Sequence, residues 1–216
     1  MHISAELQKH IPYLRYFLEL DEVESIYKTI GRIINSCAYM EKEYAHINRG
    51  RAHNFDTLLK KEGTGSQVEF SDGELRIIDR EAPLTLTVIH NHPNSTAPGH
   101  DDFFMLITRR PLRNMVVFGV AGSLYFVQKP NTELYLNYSG IEGRDKLKKS
   151  LKEVWDINAE KYAKKKYPNL KPKEREEIIR RSAPVEQNKI LTAVLNEYYI
   201  SMCDKLKLNC YPKEGK

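Results

Sequence analysis

Between residues 11 and 37, Val23, Ile26, Tyr27, Ile30, Ile33 and Ile34 recur three and four apart. That spacing lays one apolar stripe along a helix, and Pro12 suits the helix start. Short apolar segments follow. Residues 44–47 read as a strand, and so do 66–70, where Val68 and Phe70 alternate with polar positions. Residues 72–80 read as a short helix. Residues 84–89, Leu-Thr-Leu-Thr-Val-Ile, are apolar and β-branched, as a buried strand requires. Turn residues from Asn94 to Gly99 come next. Asp101 and Asp102 then open a short helix at its electropositive end. Residues 115–120 and 124–127 form two strands about a Gly122-Ser123 turn. In the charged stretch 144–181, Leu147, Leu151 and Trp155 mark an amphipathic helix interrupted by Pro168 and Pro172. A last helix holds Ile190, Leu191, Val194, Leu195, Tyr198 and Met202. The expected class is α+β.

Composition narrows the picture. The 216 residues suffice for one full core with additions, and 41% hydrophobic with 29% charged is the balance of a soluble globular chain. No apolar run is long enough to span a membrane. The N-terminus lacks a signal-peptide pattern, so a cytoplasmic location without membrane partners is expected. Cys37, Cys203 and Cys210 form no CxxC, which argues against a disulfide framework or a thiolate metal site. The net charge of +5 is uneven: 19 Lys and Arg against 13 Asp and Glu lie beyond Pro130, leaving 15 against 16 before it.

The chemistry concentrates where the 84–89 strand runs into His90-Asn91-His92-Pro93. Side chains alternate along a strand, so both imidazoles face one way. Two imidazoles on one face begin a zinc site. Catalytic zinc takes three protein ligands and keeps a position for water, and the turn can fold Asp102 back to supply the third. Such a site also needs a general base that is not a ligand.

The stretch LTVIHNHPNSTAPGHDDF resembles the signature of the JAMM (MPN+) metalloprotease family, and its HNHP form is similar to RadC-like and phage-associated bacterial members. An upstream glutamate-bearing strand, the Gly63-Thr64-Gly65-Ser66-Gln67-Val68 segment and the VVFGVAGSLYFV hairpin also resemble that family. The likeness spans residues 38–130. It implies a catalytic core (38–130); outside the likeness, the sequence reads as an N-terminal helical segment (1–37) and a basic helical C-terminal extension (131–216). The implied core is a JAMM/cytidine-deaminase-like mixed sheet flanked by helices. It implies Zn²⁺ held by His90, His92 and Asp102, with Glu43 as the base that takes a proton from water; Glu41, two residues earlier, is the alternative. The implied activity is hydrolysis of a peptide or isopeptide bond in a protein substrate, including ubiquitin-like conjugates.

One position departs from the family pattern. Gly99 stands where a serine normally helps to stabilise the oxyanion. A backbone N–H near Gly99 can substitute, or Ser95, Thr96 or His100 can reach in, or the enzyme is slow. Two further functions compete with hydrolysis: a RadC-like nucleic-acid-associated protein, favoured by the basic extension, and a non-catalytic scaffold, favoured by Gly99. The lysine-rich stretch has interspersed glutamates, as a solvated helix does. His46 and His53 read as structural or exposed.

Overall fold

The structure is a computed structural model that describes residues 3–36, 42–50, 56–64, 67–119 and 121–212. It is a mixed α+β fold: a six-stranded mixed sheet with helices on both sides. The strands are β1 (Tyr44–Arg49), β2 (Asp56–Glu62), β3 (Leu86–His92), β4 (Leu112–Gly119), β5 (Leu124–Gln128) and β6 (Asn209–Tyr211), in the order β2-β1-β3-β4-β5-β6. Among the described strands only β3 and β4 run parallel, joined through the crossover helix α5 (His100–Thr108), numbered in chain order with α1 to α4 below.

Alternation assigns the two faces. Leu86 and Val88 of β3, Met115 and Val117 of β4, and Tyr125 and Val127 of β5 point into one core. That core is completed by Phe103 and Leu106 of α5, Leu147 and Leu151 of the helix spanning Gly140–Lys166, and Tyr198, Tyr199 and Met202 of the helix spanning Pro184–Lys205. Ile89, Val116, Phe118 and Phe126 point the other way, toward α1 (Ala5–Gln8), α2 (Ile11–Leu14) and α3 (Leu20–Ser36). A short α4 (Asp72–Asp79) closes the β2 side with a Ser71–Glu74 capping box. The remaining helices are α6 (Glu133–Tyr138), α7 (Gly140–Lys166), α8 (Pro172–Arg181) and α9 (Pro184–Lys205).

Several expectations are corrected. The helix expected over residues 11–37 is divided into α2 and α3, with the stripe from Val23 to Ile34 lying wholly in α3. Phe17 packs on Phe126 between the two helices, and α3 starts with the Glu22 carboxylate accepting the Glu19 N–H. Residues 67–70 are not a strand, although Phe70 does pack on the core. The strand of this region is β2, whose Lys60, Lys61 and Glu62 disguise it; charge suits it because it is a sheet edge. β6 has three residues and was not foreseen. Cys37, Glu41, His53 and Val120 lie outside the described residues.

At the end of the sheet where β3 begins, a buried polar ladder crosses four strands. Asn114 donates to Thr87 Oγ1 (3.1 Å), Gln128 donates to Asn114 Oδ1 (3.1 Å) and Asn209 donates to Gln128 Oε1 (3.0 Å). No described helix is long and apolar enough to cross a membrane.

Candidate metal centre

β3 carries His90 and His92 on the face shared with α5, α7 and α9, at its carboxyl end. β1 is antiparallel to β3, with Ala45 opposite His90, so continuing that register puts Glu43 opposite His92. Parity puts the Glu43 side chain on the same face as the histidines. α5 begins after the turn, and Asp102 in its first turn swings back over the pair.

The four side chains meet. The His90 and His92 Nε2 atoms lie 3.1 Å apart. Asp102 Oδ1 is 3.0 Å from His90 Nε2, and its Oδ2 is 3.5 Å from His92 Nε2. Glu43 Oε1 is 3.6 Å and 3.3 Å from the same two nitrogens. Glu43, His90 and His92 each offer a ligand atom within 4.8 Å of the others, a Glu-His-His group that can hold a metal ion. Glu43 and His90 are buried, and His92 and Asp102 are the more open members.

Three of the four residues are braced from behind. His92 Nδ1 faces the Thr96 carbonyl at 2.9 Å and its hydroxyl at 3.1 Å. A proton on Nδ1 then donates to the carbonyl and leaves the Nε2 lone pair facing the centre, the usual outer support of a ligating imidazole. Asp102 Oδ2 accepts the Gly99 N–H at 2.7 Å. Glu43 is held through its backbone. The Gly63 N–H donates to the Glu43 carbonyl at 2.8 Å, and Asn91 spans its two neighbours. Asn91 Oδ1 accepts the Tyr44 N–H (2.8 Å) and Asn91 Nδ2 donates to the Lys42 carbonyl (2.9 Å). Gly63 must be glycine, because a Cβ there would lie 2.2 Å from the Gln67 carbonyl oxygen.

Charge is concentrated here. Burial works against a charged His92, but the Glu43 and Asp102 carboxylates outweigh it and raise its pKa. Burial alone would raise Asp102; the two imidazoles and the Gly99 N–H instead hold its carboxyl well below the usual carboxylate range.

The structure also places the groups that Gly99 brought into question. Its N–H is already given to Asp102, so it is not free for an oxyanion. Thr96 faces His92 Nδ1. Ser95 Oγ accepts the Ala121 N–H, and its carbonyl accepts the Ser123 hydroxyl, fastening the loop to the hairpin turn. Gly119 permits that approach, since a Cβ there would sit 2.4 Å from Ser95 Cα. The His100 ring stacks on Tyr198 at 4.9 Å, near Trp155, rather than entering the site. Gly99 itself has an extended backbone (φ −99°, ψ −163°), so no positive φ demands glycine. His46 is buried on the opposite face of the sheet.

Two contributors escaped the sequence. Asn91 was passed over as the residue between two histidines; its signal was its opposite strand parity, which frees it to reach β1. α9 also borders the site, with Leu195 beside Gly99. Compared with known proteins, the chain matches no family profile, no curated protein and no solved structure.

Proposed function

We propose that this protein is a zinc-dependent hydrolase of the JAMM type, a metallopeptidase acting on a peptide or isopeptide bond. One observation carries the reading: two imidazoles and two carboxylates converge at the end of a central strand, with outer hydrogen bonds aiming the donors. Zinc–nitrogen and zinc–oxygen bonds of about 2.0–2.1 Å in a tetrahedron separate neighbouring donors by about 3.3 Å. The 3.1 Å between the imidazole nitrogens and the 3.0 Å from His90 Nε2 to Asp102 Oδ1 fit that edge. His, His and carboxylate is also a donor set of catalytic zinc. Other divalent metals share such ligands, and the family likeness of residues 38–130 favours zinc.

His90, His92 and Asp102 are the proposed ligands. Asp102 is preferred to Glu43 because the Gly99 N–H at the helix start fixes one of its oxygens. Bound zinc supplies Lewis acidity, lowering the pKa of water and polarising a carbonyl. Glu43 is the general base. It takes a proton from the attacking water and hands it to the leaving amine, from a residue whose backbone is fixed by Asn91 and Gly63. The burial of Glu43 keeps bulk water from competing for that proton.

Zinc content and turnover test the reading together. Protein purified without chelator should hold one zinc, lost in the His90→Ala/His92→Ala double variant. Glu43→Gln should keep the metal and lose at least about 10²-fold in hydrolysis. The probes are a fluorescence-quenched random peptide library and a ubiquitin-like isopeptide conjugate. Zinc that never binds on reconstitution, or that survives loss of both histidines, overturns the assignment.

A further inference from the structure

A groove begins at Thr96, the residue that holds His92, and continues along α9. Its near part encloses about 570 Å³ between the turn after β3 and α9, with Asn94, Thr96, Asn188, Thr192 and Asn196 in its walls. Beyond it lies a larger cavity of about 860 Å³ between α7, α8 and α9, walled by Trp155, Ala159, Ile179, Ile190 and Val194. Asn188 and Leu191 line both, so the two spaces adjoin.

The lining chooses the occupant. The near part offers neutral amides and hydroxyls, the groups that pair with the N–H and C=O of an extended peptide. Asn196 Oδ1 is taken by the Tyr125 hydroxyl, which leaves its amide N–H groups to donate. The Thr192 hydroxyl donates to the Asn188 carbonyl, which leaves its lone pairs to accept. Lys189 is the charged side chain in this wall, and it favours an acidic neighbour. Val185 and Leu191 are 68% and 39% exposed along the same face. The distal cavity has apolar walls, and the Asp156 and Glu160 carboxylates there are matched by Lys173 and Arg180, so it offers no net basic track for a nucleic-acid backbone.

We propose that this groove binds an extended polypeptide segment, with an acidic side chain at Lys189 and a large apolar side chain in the α7–α8–α9 cavity. It rests on the hydrolase reading only in placing the segment's reacting bond at the metal centre. Five residues of α9 separate Lys189 from Val194, about 7.5 Å at 1.5 Å per residue. The two residues also stand about 140° apart around a helix about 10 Å across, so they are about 12 Å apart and an extended peptide places the acid and the apolar anchor about four positions from each other.

The test is an array of random octapeptides probed with zinc-loaded Glu43→Gln protein, which holds peptides without cutting them. Captured peptides should share the closely spaced acidic and large apolar residues. Lys189→Glu should cut capture of acidic peptides at least about tenfold and favour lysine-containing ones. Ala159→Trp should erase the apolar preference by filling the cavity; Leu191→Ser, at a partly exposed position, should weaken it if the tryptophan disturbs folding. An array without this enrichment, or one unchanged by all three substitutions, overturns the groove. Groove-dependent capture by protein whose wild-type form cuts nothing would instead remove the hydrolase reading and leave the groove standing. Cutting that ignores the three substitutions would do the reverse.

Discussion

Asn91→Ala should separate holding the metal from holding the base. The side chain is fully buried and makes two hydrogen bonds of 2.8 and 2.9 Å, to backbone groups on either side of Glu43. Each buried bond contributes about 1 kcal/mol net, and stranding a partner raises the cost to about 1–3 kcal/mol. A loss of about 3 kcal/mol follows for the pair. At this chain length each kcal/mol is about 2–4 °C in Tm, so melting should fall by about 6–12 °C. His90 and His92 keep their places because β3 remains paired with β4 through His92. Zinc stoichiometry should therefore stay at the wild-type value below the melting range. Glu43 loses its lateral brace, and a displacement of about 1 Å is enough to cost about 10²-fold in turnover. The assays are calorimetric melting, elemental analysis and single-turnover hydrolysis of the quenched peptide library. Unchanged melting and turnover would refute the bracing argument. Loss of zinc from a folded variant would refute the division of labour between the strands.

Gly99→Ser tests the oxyanion position: a Cβ there would meet Asp102 Oδ2 at 3.9 Å and Leu195 Cδ2 at 4.0 Å, ordinary contacts, so the residue fits. It should raise Tm by about a degree as a better helix N-cap and raise kcat up to about 10²-fold; a folded, zinc-loaded variant with unchanged kcat rejects a missing donor. His46 gives a pH signature. Burial, then Lys60 and Arg32, depress its pKa to about 4. The unfolded chain binds the proton first, so its contribution is complete above about 6.5 and is lost as pH falls toward 4. Chelator-treated His46→Leu protein should show a shallower stability loss across that window in urea melts, and a parallel curve would exclude His46 as the sensor.

How legible the site was depended on which constraint wrote the residues. His90 and His92 sit at the end of a strand buried on both faces, where apolar runs and parity leave one reading. Asp102 stands in a helix's first turn, where acids announce themselves by the dipole. The structure brings these residues and Glu43 together, although Glu43 drew its role from the family resemblance. β2 was illegible because an edge strand needs one apolar face at most and tolerates lysines. The break after α2 was hidden because Phe17 and Leu18 continue an apolar pattern and pack in the same cluster as the residues of α2 and α3. Asn91 and Ser95 work through bonds to backbone groups elsewhere in the chain, and such partners have no local sequence signature. The contact of α9 with Gly99 joins residues about a hundred positions apart and could be found only in three dimensions.

The polar ladder from Thr87 to Asn209 has a bearing on assembly. Thr87 lies five residues before His92, about 16 Å along an extended strand. A slip of β3 by one residue would turn Asn91 inward and both histidines away. A slip by two would keep the parity yet carry Thr87 past Asn114. Apolar contacts alone forgive such errors, since valine, isoleucine and methionine neighbours exchange at little cost. Amides in a dry interior do not, because each misaligned rung strands a donor and an acceptor. The far end of the sheet thus proofreads the alignment of the near end, and conservative changes at Asn114 or Gln128 should scatter the histidines among mispaired sheets long before they unfold the chain.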